Sequence, residues 1–220
     1  MNSNNVLLCG ASGMIGGHIL ELCLDDPNVK KITSLVRRPT GINDPKMNEV
    51  VIKNFSIYDT RAKYLSNIDI VFFCIGVYTG NVNRDQFRKI TIDYPYELAK
   101  VLIEKNSNLK FCLLSGAGAD RKEKSKMIFA KDKGIIENKL IKIMNDNFYS
   151  FRPAYIYPVN PRIEPNFSYK ISRILYPLIR LLGSKYSIPS KQLAKAMLKV
   201  GKYGYKESII ENENCVELGK

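Results

Sequence analysis

Residues 5–24 read NVLLCGASGMIGGHILELCL, and their reading decides the fold. Val6–Cys9 is a short apolar run, the pattern of a strand buried on both faces. Gly10-Ala-Ser-Gly13-Met-Ile-Gly16 follows directly. Ile15, Ile19, Leu20 and Cys23 then recur at helical spacing. A glycine turn between a buried strand and a helix is the setting in which such a motif carries chemistry. Gly10 permits the tight turn, Gly13 lets backbone approach a pyrophosphate, and Gly16 lets helix and strand pack closely. The helix start offers unpaired N–H groups and the positive dipole end to phosphates. The spacing is G-x-x-G-x-x-G rather than G-x-G-x-x-G, and three glycines alone are a weak signal. Their context makes Gly10, Ser12, Gly13, Met14, Ile15 and Gly16 the expected dinucleotide contacts.

Composition agrees with a soluble enzyme-like domain and excludes several alternatives. The 220 residues are 45% hydrophobic and 25% charged, enough for one domain with a modest appendage. The polar start Met1–Asn5 leads straight into the first strand, so no signal peptide is expected, and no apolar run reaches the length of a membrane span. Cys9, Cys23, Cys74, Cys112 and Cys215 show no C-x-x-C spacing. They read as core fillers in a reducing, cytoplasmic setting, and no metal site is expected. The single histidine, His18, has no partner motif and reads as structural or surface. The net charge of +13 suits polyanionic ligands as well as nucleic acid or an anionic membrane.

Further alternation follows the opening unit. Lys31–Val36 is the expected second strand and ends in Arg37-Arg38-Pro39. Where NAD-selective folds place an acid on the ribose 2′-OH, this chain has no acid between Lys30 and Asn43. Guanidinium groups grip a 2′-phosphate with paired donors, so NADP(H) is favoured over NAD(H). Glu49–Phe55 is a third strand, with Asn54 and Phe55 expected near the adenine. Asp59–Ser66 is a short helix. Asp69–Ile75 is a fourth strand; Cys74, Ile75 and Gly76 end it on the ligand edge, where a small residue lets a ribose approach. Residues 85–106 read as a helix in two pieces, the second restarted by Asp93 as N-cap with Pro95 behind it. Leu109–Leu114 is a fifth strand ending at Ser115, followed by a flexible basic loop to Lys126. Met127–Met144 is a long helix, and Phe148–Phe151 a sixth strand before Arg152-Pro153. Five β-then-α alternations specify an α/β fold, a doubly wound parallel, Rossmann-like sheet, with a small C-terminal substrate-side cap. Residues 1–158 form the dinucleotide-binding core, and 159–220 the cap and tail, packed as one unit.

The glycine motif, Arg37-Arg38-Pro39, Cys74–Gly76, LLSGAGAD at 113–120, Lys133-Gly134 and FRPAYIYP at 151–158 together resemble the atypical short-chain dehydrogenase/reductases. The likeness is greatest to the branch of Tat-interacting, oxidoreductase-like tumour suppressors, and it covers residues 5–205. In that superfamily a serine after the fifth strand and a Tyr-x-x-x-Lys on the next helix carry the chemistry. The tyrosine passes a proton, the lysine lowers its pKa and holds the nicotinamide ribose, and the serine bonds the substrate oxygen. The resemblance assigns Ser115 and Lys133 to catalysis, and Lys133 and Pro153 to the cofactor as well. The tyrosine position is Phe129, which has no proton to give, a loss typically worth roughly 10²–10⁴ in rate. The other Y-x-x-x-K, Tyr96–Lys100, precedes the fifth strand and reads as coincidence. Tyr78, Tyr155 and Tyr157 follow strands on the ligand edge and are the candidate substitutes.

Ten Lys/Arg and one acid, Glu164, fall between Arg162 and Lys206. Within it, Asn166–Leu182 carries an apolar stripe of Ile171, Ile174, Leu175, Leu178 and Leu182, basic residues opposite, and Pro177 as a kink. A cap helix with a solvated face is the preferred reading over a membrane-surface helix. Residues 207–220 are expected to hold a last short strand and a loose tail. The leading functional reading is an NADP(H)-binding reductase of small carbonyl compounds with degraded proton-transfer machinery; whether it turns over, and whether it forms a homodimer, the sequence leaves open. A non-catalytic, cofactor-sensing regulator that binds protein partners is the alternative. A basic module for membrane or nucleic acid rests on charge alone.

Overall fold

The structure, a computed structural model, describes residues 4–160, 173–181 and 183–220. Its centre is a seven-stranded sheet in the order β3-β2-β1-β4-β5-β6-β9, with every pairing parallel. The strands are β1 (Asn4–Cys9), β2 (Val29–Val36), β3 (Met47–Val51), β4 (Ile70–Phe73), β5 (Lys110–Leu114), β6 (Phe148–Arg152) and β9 (Ile209–Glu211). The helices are α1 (Met14–Asp25), α2 (Arg84–Arg88), α3 (Tyr94–Lys105), α4 (Ile128–Met144), α5 (Tyr176–Leu181), α6 (Ser190–Tyr203) and α7 (Asn212–Leu218). A separate two-stranded parallel ribbon joins β7 (Tyr155–Tyr157) to β8 (Ser187–Pro189).

Strand alternation divides the core between two faces. Val6 and Leu8 of β1 join Ile32, Ile70 and Phe72 against Ile15 and Ile19 of α1 and Leu193, Met197 and Val200 of α6. Leu7 and Cys9 join Leu35, Val71, Phe73 and Phe111 against Leu98 and Leu102 of α3 and Ile136 and Leu140 of α4. Both faces are covered, so the central strands must be apolar at every position. Each such Leu, Ile or Phe contributes roughly 1.5–3 kcal/mol by leaving water. The doubly wound parallel sheet expected from the sequence is the architecture found. The order reverses between β1 and β4, and a crevice opens there at the carboxyl ends of the strands.

Several local expectations are corrected. The third strand runs over Met47–Val51, not to Phe55, because Asn54 turns the chain, its side chain accepting the Ser56 N–H at 3.0 Å. The helix expected over 59–66 shrinks to a single 3-10 turn, Lys63–Leu65. Asp93 does not cap a restarted helix. Its backbone is helical and its side chain caps nothing. The chain runs from α2 to α3 through a π turn, Lys89–Asp93, closed by Tyr94 N–H to Lys89 C=O. Pro95 has no N–H and crowds the carbonyl four residues back, and the wider turn accommodates both.

The loop after Gly116 is held rather than draped. The Asp120 carboxylate accepts the backbone N–H of Lys122, Lys124 and Ser125 at 2.9, 2.9 and 2.7 Å. Residues 207–220 hold the expected short strand, β9, followed by the helix α7 in place of a loose tail. Asn212 donates to the Ser187 carbonyl at 3.0 Å, its Oδ1 accepts the Ala154 N–H at 2.8 Å, and Cys215 is buried. Of the helix predicted over 166–182, residues 166–172 and 182 lie outside the described residues. Arg173 and Ile174 are helical, Leu175 is a turn and Tyr176–Leu181 are helical again, so the helical path is interrupted just before Pro177, where the kink was expected.

Candidate active site

A cleft of about 730 Å³ opens at the carboxyl edge, over the reversal of strand order. Its floor and walls come from the turn after β1, the segment after β4, the end of β5, α4, and the stretch from Pro153 to Pro158.

The first wall is backbone. Gly10 has φ +95°, a left-handed conformation that L side chains rarely adopt, and a Cβ there would stand 3.0 Å from the Cys74 carbonyl carbon. Gly13 N–H closes the turn on Gly10 C=O at 2.9 Å. A Cβ on Gly16 would overlap the Gly10 carbonyl, so α1 packs onto its own turn only with glycine there. The start of α1 has no side-chain cap and no acid in its first turn. Gly13, Met14 and Ile15 line the cleft at that helix start. Across from it, Cys74, Ile75 and Gly76 also line the cleft, and a Cβ on Gly76 would meet nothing within 4 Å. An uncapped helix N-terminus facing glycine backbone is a fit for a diphosphate and its ribose.

The other sequence-predicted contacts fall in different places. Ser12 is exposed in the turn. Arg37 and Arg38 follow β2 and are exposed. The acid of β3, Glu49, accepts the Thr40 N–H and hydroxyl. Asn54 is exposed, whereas Phe55 is buried in the core with its ring 5.7 Å from that of Tyr94. His18 is buried, its Nε2 3.1 Å from Ser190 Oγ and its Nδ1 3.2 Å from Glu21, in keeping with a structural role.

The second wall is made of side chains that bond one another. Ser115, Phe129, Lys133 and Pro153 all line the cleft. Ser115 Oγ donates to Glu137 Oε1 at 2.7 Å. Glu137 is fully buried on α4, one turn beyond Lys133, and also accepts from Ser150 Oγ at 2.7 Å and from the Arg152 guanidinium. Arg152 reaches on to Glu211 of β9 at 2.9 Å. Both carboxyl oxygens are thus bonded, which offsets the cost of taking them out of water. Lys133 Nζ donates to the Leu114 carbonyl at 3.0 Å. Burial draws its pKa down to about 8, against the opposing pull of Glu137 and Cys74. Cys74 itself is pushed up to about 12 by burial, with Lys133 pulling the other way.

Phe129 sits over the backbone of Gly116, its Cζ 2.5 Å from where a Cβ on that glycine would stand. Gly134 serves the same wall: a Cβ there would overlap the Asp120 carbonyl, so the loop docks on α4 only against glycine. Beside it, the fully buried Asp132 is clamped by Arg84, with Nη2 at 2.8 Å, and by Arg88 at 3.2 Å. Tyr78 and Tyr155 line the cleft, whereas Tyr157, outside that lining, stacks on Tyr176 at 3.7 Å. Tyr96 and Lys100 lie outside the cleft lining, with Lys100 exposed and paired to Glu97 at 3.0 Å. Glu137, which ties Ser115, Ser150 and Arg152 together, belongs to no motif expected from the sequence. Its signal was an acid four residues after Lys133 within the apolar stripe of Ile136 and Leu140.

The parallel sheet, its order of strands and the glycine turn at its carboxyl edge define a Rossmann-like fold. Among the described residues there is no group of three metal-ligating side chains and no helix long and apolar enough to cross a membrane. In sequence the chain is similar to Protein HTATIP2 and to the FMP52 proteins. It is 26% identical over 224 residues to Protein HTATIP2 of Rattus norvegicus, covering 100% of this chain and 91% of that protein. It is 27% identical over 155 residues to the mitochondrial protein FMP52 of Candida albicans, covering 68% of this chain and 66% of that protein. No family model matches the chain. In fold it is similar to Gre2 of Candida albicans, solved in complex with NADPH, at a TM-score of 0.70 and 13% identity over 95% of this chain and 78% of that one. A UDP-N-acetylglucosamine 4-epimerase from Methanobrevibacter ruminantium has a TM-score of 0.70 at 21% identity, over 96% and 76%.

Proposed function

We propose that this protein binds NADP(H) in the cleft and reduces a small carbonyl compound. The observation that carries the reading is the pairing of an uncapped α1 start and its glycine turn with Lys133 in one cleft at the reversal of strand order. Gly10, Gly13 and the first N–H groups of α1 would hold the diphosphate, and Lys133 the nicotinamide ribose. A bound nicotinamide would supply hydride. The chain's own residues orient the substrate and move its proton. The cofactor of Gre2, which shares this fold, supports the class of ligand. Exposed Arg37 and Arg38, with no acid from Lys31 to Ile42, support the 2′-phosphate form.

Asn54 and Phe55 belong to the adenine end of the same reading, Phe55 from beneath as core and Asn54 from its turn. Five free cysteines, four of them buried, support a reducing compartment, for which we propose the cytoplasm. The FMP52 relatives carry a mitochondrial designation.

Calorimetric titration of cofactor-stripped protein with NADPH and then NADH tests the reading. Tight NADPH binding that weakens about tenfold or more in an Arg37→Ala, Arg38→Ala double variant, with NADH little changed, is the expected result. Binding of neither cofactor overturns it. The second reading, a cofactor-sensing regulator without turnover, is favoured by one observation: Phe129 stands where the proton-donating tyrosine would be. Binding without reduction of any dicarbonyl probe would select it.

A further inference from the structure

The cofactor reading leaves a reductase without its usual proton donor, and this inference rests on that reading. Phe129 has no exchangeable proton. Ser115 is no replacement, because its hydroxyl proton is spent on Glu137 at 2.7 Å, away from the cleft. Glu137 lies outside the cleft lining, and its carboxyl oxygens face Ser115, Ser150 and Arg152.

We propose that Lys133 is itself the proton donor of this site, its ammonium protonating the carbonyl oxygen of a bound substrate as hydride reaches the carbonyl carbon. Four observations converge on it. Its side chain lines the cleft beside Ser115, Phe129 and Gly76. It reaches solvent only in part although set deep among protein atoms, so the cleft is its way to water. Nζ spends one N–H on the Leu114 carbonyl at 3.0 Å and keeps two more to donate. Without a tyrosine hydroxyl at position 129, no phenol on its own helix turn stands between the ammonium and the cleft.

The groups facing Lys133 set its acidity. Burial favours the neutral amine, Glu137 from the next turn of α4 and Cys74 from the end of β4 favour the ammonium, and the balance near 8 suits an acid that works at neutral pH. A lysine at its ordinary value near 10.4 would hold the proton too firmly.

The step balances. A hydride, with its two electrons, passes from a reduced nicotinamide to the carbonyl carbon. The π pair of the C=O bond moves to oxygen. That oxygen takes a proton from Nζ, leaving an alcohol, an oxidised nicotinamide and a neutral lysine. Water in the cleft then returns a proton to the amine. Glu137 is a positioning residue in this scheme: it fixes Ser115 and holds the ammonium's field without touching substrate.

The test has a part that needs no turnover. In protein labelled with ¹³Cε-lysine and free of cofactor, one lysine signal should titrate near pH 8 and vanish in Lys133→Arg. With NADPH and 9,10-phenanthrenequinone, kcat should fall as pH rises through about 8. Lys133→Arg keeps the positive charge but yields its proton far less readily. It should bind NADPH within tenfold of wild type, lose about 10²-fold in kcat, and lose the pH limb. Lys133→Met, which cannot donate, should lose at least as much. Tyr78→Phe and Tyr155→Phe should leave the limb in place. The proposal is overturned by a Lys133→Arg protein with wild-type kcat and limb, by loss of the limb in either tyrosine variant, by the lack of a lysine signal titrating below 9, or by NADPH binding without turnover of the quinone. If wild type fails to bind NADPH at all, the cofactor reading falls, and this proposal with it.

Discussion

The two walls of the cleft hold their shape by different means. On the β1–α1 side the wall is backbone: a left-handed Gly10, a Gly16 pressed against the Gly10 carbonyl, and a helix start with no side chain over it. On the β5–α4 side the wall is a chain of side chains, Ser115 to Glu137 to Arg152 to Glu211, with Lys133 alongside. The first wall has one solution, because no side chain larger than hydrogen fits. The second has many, because a bonded network tolerates exchange of members if the others adjust. That asymmetry fits a chain whose glycine turn is fixed while position 129 of the other wall is open to exchange.

The sharpest way to break this contrast is Gly16→Ala. Its added methyl would overlap the Gly10 carbonyl, a backbone atom that can yield only by moving α1 off β1. We expect a loss upward of about 4 kcal/mol, at the far end of overpacking, and a fall in Tm of roughly 10 °C or more. Thermal unfolding followed by circular dichroism would show it. A Gly16→Ala protein as stable as wild type would mean that the first wall is as adaptable as the second.

Glu137→Ala comes next. It leaves Arg152 with Glu211 alone and strands the buried hydroxyl of Ser150, so about 3 kcal/mol should be lost in denaturant unfolding. Glu137→Gln, which keeps an acceptor for both serines, should recover part of that. Equal losses would show that charge, not hydrogen bonding, holds the network. Phe129→Tyr follows. Cζ is the ring atom nearest where a Gly116 side chain would stand, so the new hydroxyl would extend from the Gly116 side of the cleft. Turnover of a dicarbonyl should rise about tenfold, read in steady-state kinetics at pH 7. Unchanged turnover would count against position 129 as the proton-donor position.

How much of this was legible in the sequence follows the same divide. The β1–α1 wall could be read outright, since glycine spacing between a buried strand and a helix specifies backbone geometry, which is local. The sheet was legible for a related reason: strands covered on both faces must be apolar throughout. Glu137 was not, because an acid within a helical stripe looks like a solvated face until Ser115, Ser150 and Arg152, each distant in sequence, are seen around it. The π turn at Lys89–Asp93 was hidden similarly, since Asp93 and Pro95 fit a helix start as well as a bulge that absorbs the proline. The last short strand, β9, was legible, whereas α7 was not, because seven residues carry too little helical periodicity and the helix is anchored by Asn212 bonds to Ala154 and Ser187, both distant in sequence.

The last prediction separates Lys133 as a strained group from Lys133 as a structural one. In the folded protein burial lowers its pKa to about 8, whereas in the unfolded chain it lies near 10.4. Below pH 8 the lysine is charged in both states, and the cost of burying that charge is fully present. Between those values the unfolded chain binds more protons than the folded protein, so this group adds stability as pH rises, at a slope of up to about 1.4 kcal/mol per pH unit. Lys133→Met removes the cost along with the charge. Its advantage in unfolding free energy over wild type should therefore be greatest below pH 8 and shrink steadily toward pH 10. Thiols that burial pushes up to about 12, Cys23 and Cys215 among them, work in the opposite direction above their unfolded values, but both proteins contain them and the difference cancels them. Denaturant unfolding of the two proteins at pH 7, 8, 9 and 10 measures the gap. A gap that stays constant would mean that the ammonium is solvated through the cleft and carries no burial cost, which would remove the physical reason for Lys133 to part with a proton at neutral pH.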